Sequence, residues 1–153
     1  MADTSLVESK IGLLIWKTSN FWQANLRKSL NTYNISLNEF FILGAIKSLS
    51  KKRDNINQKE ISEYIGIDIS VTSVTLKLLE NKKYISRTIK DDNRKKVITI
   101  LRDGINLFEI IDPIIQKTED QIFNKLNNET FNFTNSLKLI LGKKIRIKAN
   151  TEK

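Results

Sequence analysis

The stretch from residue 57 to residue 101 constrains this fold most, because its apolar spacing changes from helical to strand-like. Asn57 and Glu60 form a capping-box pattern, which predicts the start of a short helix. Ile61 and Ile65 lie four residues apart and share one face of that helix. Gly66 follows where a left-handed residue ends a helix at little steric cost.

A second helix is predicted directly after this turn. Asp68 or Ser70 can cap its start, and its apolar spacing continues to about Lys83. Three residues on one stripe are expected to face the core: Thr72, Leu76 and Leu79. Two short helices joined by a glycine-containing turn are the helix-turn-helix pattern, whose second helix enters the DNA major groove.

A β-hairpin is predicted after the second helix. Residues 85–89 and 97–100 are β-branched runs, and residues 90–96 between them are polar and mostly basic. Beside DNA, an arginine on such a tip can enter a narrow minor groove while neighbouring lysines meet phosphates.

If the predicted stripe is buried, the opposite face of the second helix meets DNA. That face carries Ser70, Val71, Ser73, Val74 and Lys77. For Ser70, a plain helix cap is an equal alternative. Val74 and Leu78 make the face unusually apolar, so either the helix is rotated from this assignment or valine contacts thymine methyl groups.

The chain resembles the multiple antibiotic resistance regulator (MarR) family in the order and spacing of several segments. They are NISLNEF at 34–40, QKEISEYIG at 58–66, LENKKYI at 79–85, DNR at 92–94, and Gly104. The resemblance implies a winged helix-turn-helix transcription regulator, with Arg94 in the minor groove and Asp92 orienting it. A solvated ion pair is the alternative for Asp92 and Arg94. Four further cations would contact phosphates: Arg87, Lys90, Lys95 and Lys96.

The fold class expected is mainly α with a small β-hairpin wing, in a single domain of residues 1–153. Residues 35–101 form its DNA-binding part, and residues 4–34 and 102–148 form dimerisation helices. A helix from Thr4 or Ser5 to about Leu30 is apolar almost all round at residues 11–16. That surplus suggests a second contact surface, although an overfilled core is an alternative, and the resemblance implies a homodimer reading a pseudo-palindromic operator.

Charge and composition favour nucleic acid and exclude much catalysis. The net charge is +9, and residues 47–96 contribute +6 of it. The alternative is that a chain rich in Lys, Asn and Ile reflects an AT-biased genome. The chain has no Cys and no His. This excludes thiol chemistry, catalysis by histidine, and zinc sites with Cys or His ligands. No catalytic residue, metal or cofactor is expected, and the chain is not expected to be an enzyme.

Many members of the family bind a small aromatic anion that releases DNA. Five aromatic residues could line such a pocket, or be ordinary core: Trp16, Phe21, Trp22, Phe40 and Phe41. No signal peptide or membrane-spanning run is evident, so a soluble cytoplasmic protein, without a membrane partner, is expected. We therefore expect a homodimeric regulator, most simply a repressor. The alternatives are a ligand-independent architectural protein and a winged helix used for protein contacts.

Overall fold

A computed structural model describes residues 10–89 and 96–146. The chain divides into two compact units, Met1–Thr118 and Glu119–Lys153. The helices are α1 (Ile11–Leu30), α2 (Leu37–Ser50), α3 (Gln58–Ile65), α4 (Ile69–Asn81), α5 (Arg102–Phe123) and α6 (Thr130–Ile140), and a 3₁₀ helix spans Asn124–Glu129. The strands are β1 (Ile85–Ile89) and β2 (Lys96–Ile100). The expected class, mainly α with a small β wing, is confirmed.

Local capping sets the helix boundaries around the helix-turn-helix. Asn57 and Glu60 form the predicted capping box of α3, with reciprocal hydrogen bonds of 3.0 Å. Gly66 ends α3 with φ +79°, in the left-handed region that glycine tolerates. Ser36 and Glu39 form the same kind of box at the start of α2. In each box the backbone N–H groups of the first and last residue find a partner that they would otherwise lack. The boxes therefore fix where α2 and α3 begin.

The core of the first unit is built around α2, which contacts α1, α3, α4 and β2. From α2, Ile42, Leu43 and Ile46 are fully buried. They pack in one cluster with fully buried leucines from two neighbouring helices: Leu26 and Leu30 of α1, and Leu76 and Leu79 of α4. Burying these side chains stabilises the unit by about 1.5–3 kcal/mol each, so the helix-turn-helix is held from behind.

The hairpin pairs β1 with β2 in antiparallel register, from Ile85 opposite Ile100 to Ile89 opposite Lys96. Ile98 N–H also donates to the carbonyl of Ile56, at 2.9 Å, which ties the hairpin to the loop before α3. Close to its base, a Cβ on Gly104 would lie 2.3 Å from the Tyr84 carbonyl oxygen. Only glycine fits there, so α5 begins tightly against the chain that enters the wing.

Two helices follow the wing. α5 continues through Pro113 as one helix, and α6 is followed by Gly142 with φ +67°. Both lie within residues 102–148, the second region expected to be helical. The predicted start of the first helix at Thr4 or Ser5 lies outside the described residues.

Candidate nucleic-acid interface

The rotation of α4 about its axis decides which side chains could meet DNA. Thr72, Leu76 and Leu79 are all 0% exposed, as the spacing predicted. Thr72 Oγ1 also donates to the Asp68 carbonyl oxygen at 3.0 Å, so its hydroxyl is satisfied inside the helix. The alternative of a rotated helix is therefore wrong, and the opposite face of α4 points away from the core.

That outer face has an apolar stripe bordered by polar side chains. Val71 is 38% exposed, Val74 63% and Leu78 45%. Ser70 and Lys77 are exposed and Ser73 is half-buried. All five residues predicted to face DNA thus belong to the outer side, and the stripe of Val71, Val74 and Leu78 follows the spacing of one helix face.

The N-terminus of α4 is capped by Asp68 and not by Ser70. The Asp68 carboxylate accepts from the Ser70 hydroxyl and, at 2.8 Å, from the Ser70 backbone N–H. These hydrogen bonds, with the hydroxyl contributing most, hold the pKa of Asp68 below its ordinary value. Ser70 is therefore not the cap, but its hydroxyl proton is engaged beside the helix start.

Arg87 has a different contact from the phosphate contact predicted for it. Its Nε and Nη2 donate to the two carboxylate oxygens of Glu80, at 2.9 and 3.1 Å. The Arg87 side chain is only 14% exposed. The hydrogen bonds from Arg87, more than its charge, hold the pKa of Glu80 below its ordinary value. Arg87 therefore joins α4 to β1, and its phosphate contact stays a prediction.

Lys96 remains exposed at the start of β2. It lines a groove of about 370 Å³ that also includes Arg87, Gln58, Lys59 and Ile69. Sequence reasoning did not assign Lys59, which lies on the exposed side of α3. Four predicted wing contacts lie outside the described residues: Lys90, Asp92, Arg94 and Lys95.

A second feature of the first unit is an open cleft of about 690 Å³ between its helices. Three of the five aromatic residues predicted for a ligand pocket line it: Trp22, Phe40 and Phe41. Trp22 stacks on Phe41 with ring centroids 5.6 Å apart, and Phe40 stacks on Phe108 at 5.2 Å. The cleft is therefore walled by aromatic rings.

Trp16 and Phe21, also predicted for the pocket, are not among the lining residues. They lie on α1 with 67% and 52% of their surfaces exposed. Sequence reasoning did not assign Tyr64 and Phe108, which do line the cleft, because they come from helices distant in the chain. Of the described residues that line the cleft, Asp112 is the one with a charged side chain.

Other kinds of site find no support within residues 10–89 and 96–146. These residues include no group of three His, Cys, Asp or Glu side chains arranged to hold a metal ion. Nor does any helix there have the length and apolar character needed to cross a bilayer.

Comparison with known proteins gives one consistent family. The MarR family model matches residues 35–97. The transcriptional regulator SarZ of Staphylococcus haemolyticus is 28% identical over 142 residues, covering 90% of this chain and 91% of SarZ. The structure of the S. aureus MepR–DNA complex matches with a TM-score of 0.77 and 22% identity, covering 88% of this chain and 96% of MepR. CouR from Rhodococcus jostii, bound to p-coumaroyl-CoA, matches with a TM-score of 0.74 and 18% identity, covering 90% and 95%.

Proposed function

The chain belongs to the MarR family of winged helix-turn-helix transcription regulators, and from this we propose that it is a homodimeric repressor whose operator binding is relieved by a small aromatic ligand. As a family member it is a DNA-binding regulator and not an enzyme. The two helices α4 of a two-fold dimer would enter successive major grooves about 34–36 Å apart. The operator would therefore be a pseudo-palindrome with half-sites about one helical turn apart.

The main support for DNA binding is that α4 exposes one face to solvent while the other is buried. One face of the helix is anchored in the core by Thr72, Leu76 and Leu79, and the opposite face is open to solvent. A rigid, outward-facing helix suits the major groove, which admits an α-helix. The exposed Lys59, Lys77 and Lys96 supply positive charge for phosphates nearby.

The dimer is supported by apolar surface on α1. Three large apolar side chains lie close together there and are exposed: Ile11 by 71%, Ile15 by 46% and Trp16 by 67%. Apolar surface of this density favours burial against a partner. A second copy of the chain is the partner that a two-fold operator requires.

The aromatic cleft is the ligand site that we propose. Trp22, Phe41 and Phe108 give flat apolar walls on which an aromatic ring can stack. Asp112, the one charged residue among the described lining residues, is acidic, and Lys47, 5.1 Å from the Phe108 ring centroid, is paired with Glu109. A neutral or cationic aromatic compound therefore suits the cleft better than the anion expected from the family. A ligand releases DNA only if it binds the DNA-free conformation more tightly than the DNA-bound one.

The DNA proposal is tested with fragments of the chain's own upstream region and unrelated duplex, each at two salt concentrations. We expect one fragment to bind at least about 10³-fold more tightly than unrelated duplex. Arg94→Ala should weaken that binding, whereas Arg27→Ala, a matched change at an exposed arginine on α1, should not. Weak, equal binding to every duplex would contradict the proposal and favour an architectural role or a protein partner.

The ligand proposal is tested by displacement from the bound fragment. A cationic aromatic dye should release DNA at lower concentration than salicylate, and Asp112→Asn should reduce the difference. Phe108→Ala should weaken both compounds while leaving DNA binding in their absence intact. Release by salicylate alone would overturn the charge preference, and insensitivity to both compounds would indicate a constitutive DNA-binding protein.

A further inference from the structure

The outer face of α4 has few groups that can read bases by hydrogen bonding. The helix contains no Arg or Gln, its one lysine is Lys77, and its one asparagine, Asn81, is its last residue. Glu80 is paired with Arg87, and the Ser70 hydroxyl is bonded to Asp68. Bidentate recognition of guanine uses Arg or Lys, and of adenine Asn or Gln. The first two turns of α4 carry none of these side chains.

What those turns present instead is apolar surface. Val71 and Val74 lie three residues apart on one face, with 38% and 63% of their surfaces exposed. Ile69, at the first position of the helix, is 50% exposed. In a protein that reads DNA, the N-terminal part of the recognition helix lies nearest the base edges. The one apolar group that a base pair offers in the major groove is the C5-methyl group of thymine.

We propose that Val71 and Val74 read thymine methyl groups, so that the operator half-sites carry thymines where the first two turns of α4 meet the major groove. This inference rests on the proposed DNA binding by α4. In it, Lys77 contacts a phosphate and contributes affinity, while the valines contribute sequence choice.

Uracil substitution tests the methyl contacts directly. Binding sequences are first selected from a random duplex pool with the purified protein, and each thymine of a selected site is then replaced by uracil. Uracil pairs as thymine does but lacks the methyl group. We expect about a fourfold rise in Kd for each contacted methyl, equivalent to about 0.8 kcal/mol. The same number of uracils in flanking sequence should have no effect.

Variants on the protein side complete the test. Val74→Ala should weaken binding to thymine DNA and should abolish the effect of uracil at one position per half-site, because the contact is already lost. Lys77→Gln is the matched control. It should weaken thymine and uracil sites equally and reduce the salt dependence of binding. Both substitutions are at exposed positions, and circular dichroism will verify that both variants fold.

Two outcomes distinguish failure of the thymine-methyl contacts from failure of the proposed DNA-binding function. Sequence-specific binding that is insensitive to uracil, or selected sites without thymines in the half-sites, would overturn the methyl reading while leaving the proposed regulator intact. Equal binding to all duplexes would overturn both.

Discussion

At the scale of single residues, Lys83 has a backbone conformation that disfavours its own side chain. Its φ is +62°, in the left-handed region. Lys83 N–H donates to the Glu80 carbonyl and Tyr84 N–H to the Leu79 carbonyl, both at 3.0 Å. This pair of bonds is the Schellman motif, which ends α4 and usually has glycine at this position.

We expect Lys83→Gly to stabilise the chain by about 0.5 kcal/mol. The left-handed conformation costs a residue with a Cβ roughly 1–2 kcal/mol, and the greater flexibility of unfolded glycine offsets part of the gain. Urea unfolding would measure the change. Lys83→Ala is the control, since it removes the exposed side chain but keeps the strain; an equal gain from alanine would show that backbone conformation is not the cause.

How far the sequence could predict individual residues depended on the range of their interactions. Thr72, Leu76 and Leu79 were placed correctly, because helical spacing alone decides which residues share a face. The ion pair of Arg87 with Glu80 could not be predicted, because it depends on how β1 returns past α4. Trp16 and Phe21 were grouped with the ligand cleft because aromatic character alone does not tell a cleft wall from an exposed surface.

At the scale of secondary-structure elements, a partly buried ion pair joins α4 to α2. Lys82 Nζ donates to the two carboxylate oxygens of Glu39 at 2.8 and 3.1 Å, and to the Asn34 carbonyl at 2.8 Å. The Glu39 side chain is 4% exposed and that of Lys82 28%. Glu39 also belongs to the capping box of α2. One carboxylate therefore contacts both the start of α2 and, through Lys82, the end of α4.

Breaking this pair should be costly. We expect Lys82→Met to destabilise the chain by about 2 kcal/mol, because it leaves the buried carboxylate without its cation; the partial exposure of Lys82 keeps the loss below that of a fully buried pair. In a double-mutant cycle with Glu39→Gln, the coupling should be about 1–2 kcal/mol. Additive losses in urea unfolding would mean that the two side chains stabilise the chain independently.

The ion pair between α4 and β1 makes stability depend on pH. Arg87 lowers the pKa of Glu80 in the folded chain below the ordinary value of 4.5. A carboxyl group with a depressed folded pKa stabilises the fold above its unfolded pKa and loses that contribution as the pH falls through the folded pKa. The Glu80 contribution is therefore present above pH 4.5 and decreases below it.

Glu80→Gln should accordingly lower the free energy of unfolding by about 0.5–1 kcal/mol near neutral pH, a small value because the carboxylate is partly exposed. The difference from the parent chain should shrink as the pH is reduced below 4.5. Glu63→Gln, at an exposed pair with Lys59, is the matched control and should show a smaller effect. A pH-independent difference in urea unfolding would rule out this origin.

The elements themselves were predictable where their signals are local. Capping boxes span four residues, so the starts of α2 and α3 could be identified from the sequence. The bond from Ile98 to the loop at Ile56 could not, because it joins residues that are distant in the chain and depends on where the hairpin packs. The identity of the cap of α4 was left open between Asp68 and Ser70, since both side chains can accept from the helix start.

At the scale of the whole molecule, apolar surface remains exposed in each compact unit. In the first unit it lies on α1, around Ile11, Ile15 and Trp16. In the second it lies at the end of α6, where Leu139, Ile140 and Leu141 are at least 60% exposed. Both segments fall within the regions that the sequence predicted for dimerisation. Exposed apolar surface costs free energy in water, so its burial between two copies would stabilise the pair.

We expect Ile15→Glu to convert the proposed dimer into monomers at micromolar concentration, because a carboxylate without a partner is costly to bury. Loss of the dimer should reduce affinity for a two-half-site operator by at least about 10²-fold, since the second half-site is then no longer bound intramolecularly. Ala24→Glu introduces the same charge at an exposed position on the side of α1 opposite Ile15 and should leave both properties unchanged. Sedimentation velocity, alongside titration of the operator, measures the two effects together. Two results would contradict this prediction: a parent chain that sediments as a monomer at concentrations that saturate the operator, or an Ile15→Glu variant that remains dimeric. In either case the apolar surface of α1 does not form the dimer interface, and the proposed binding of a two-fold operator through it is wrong.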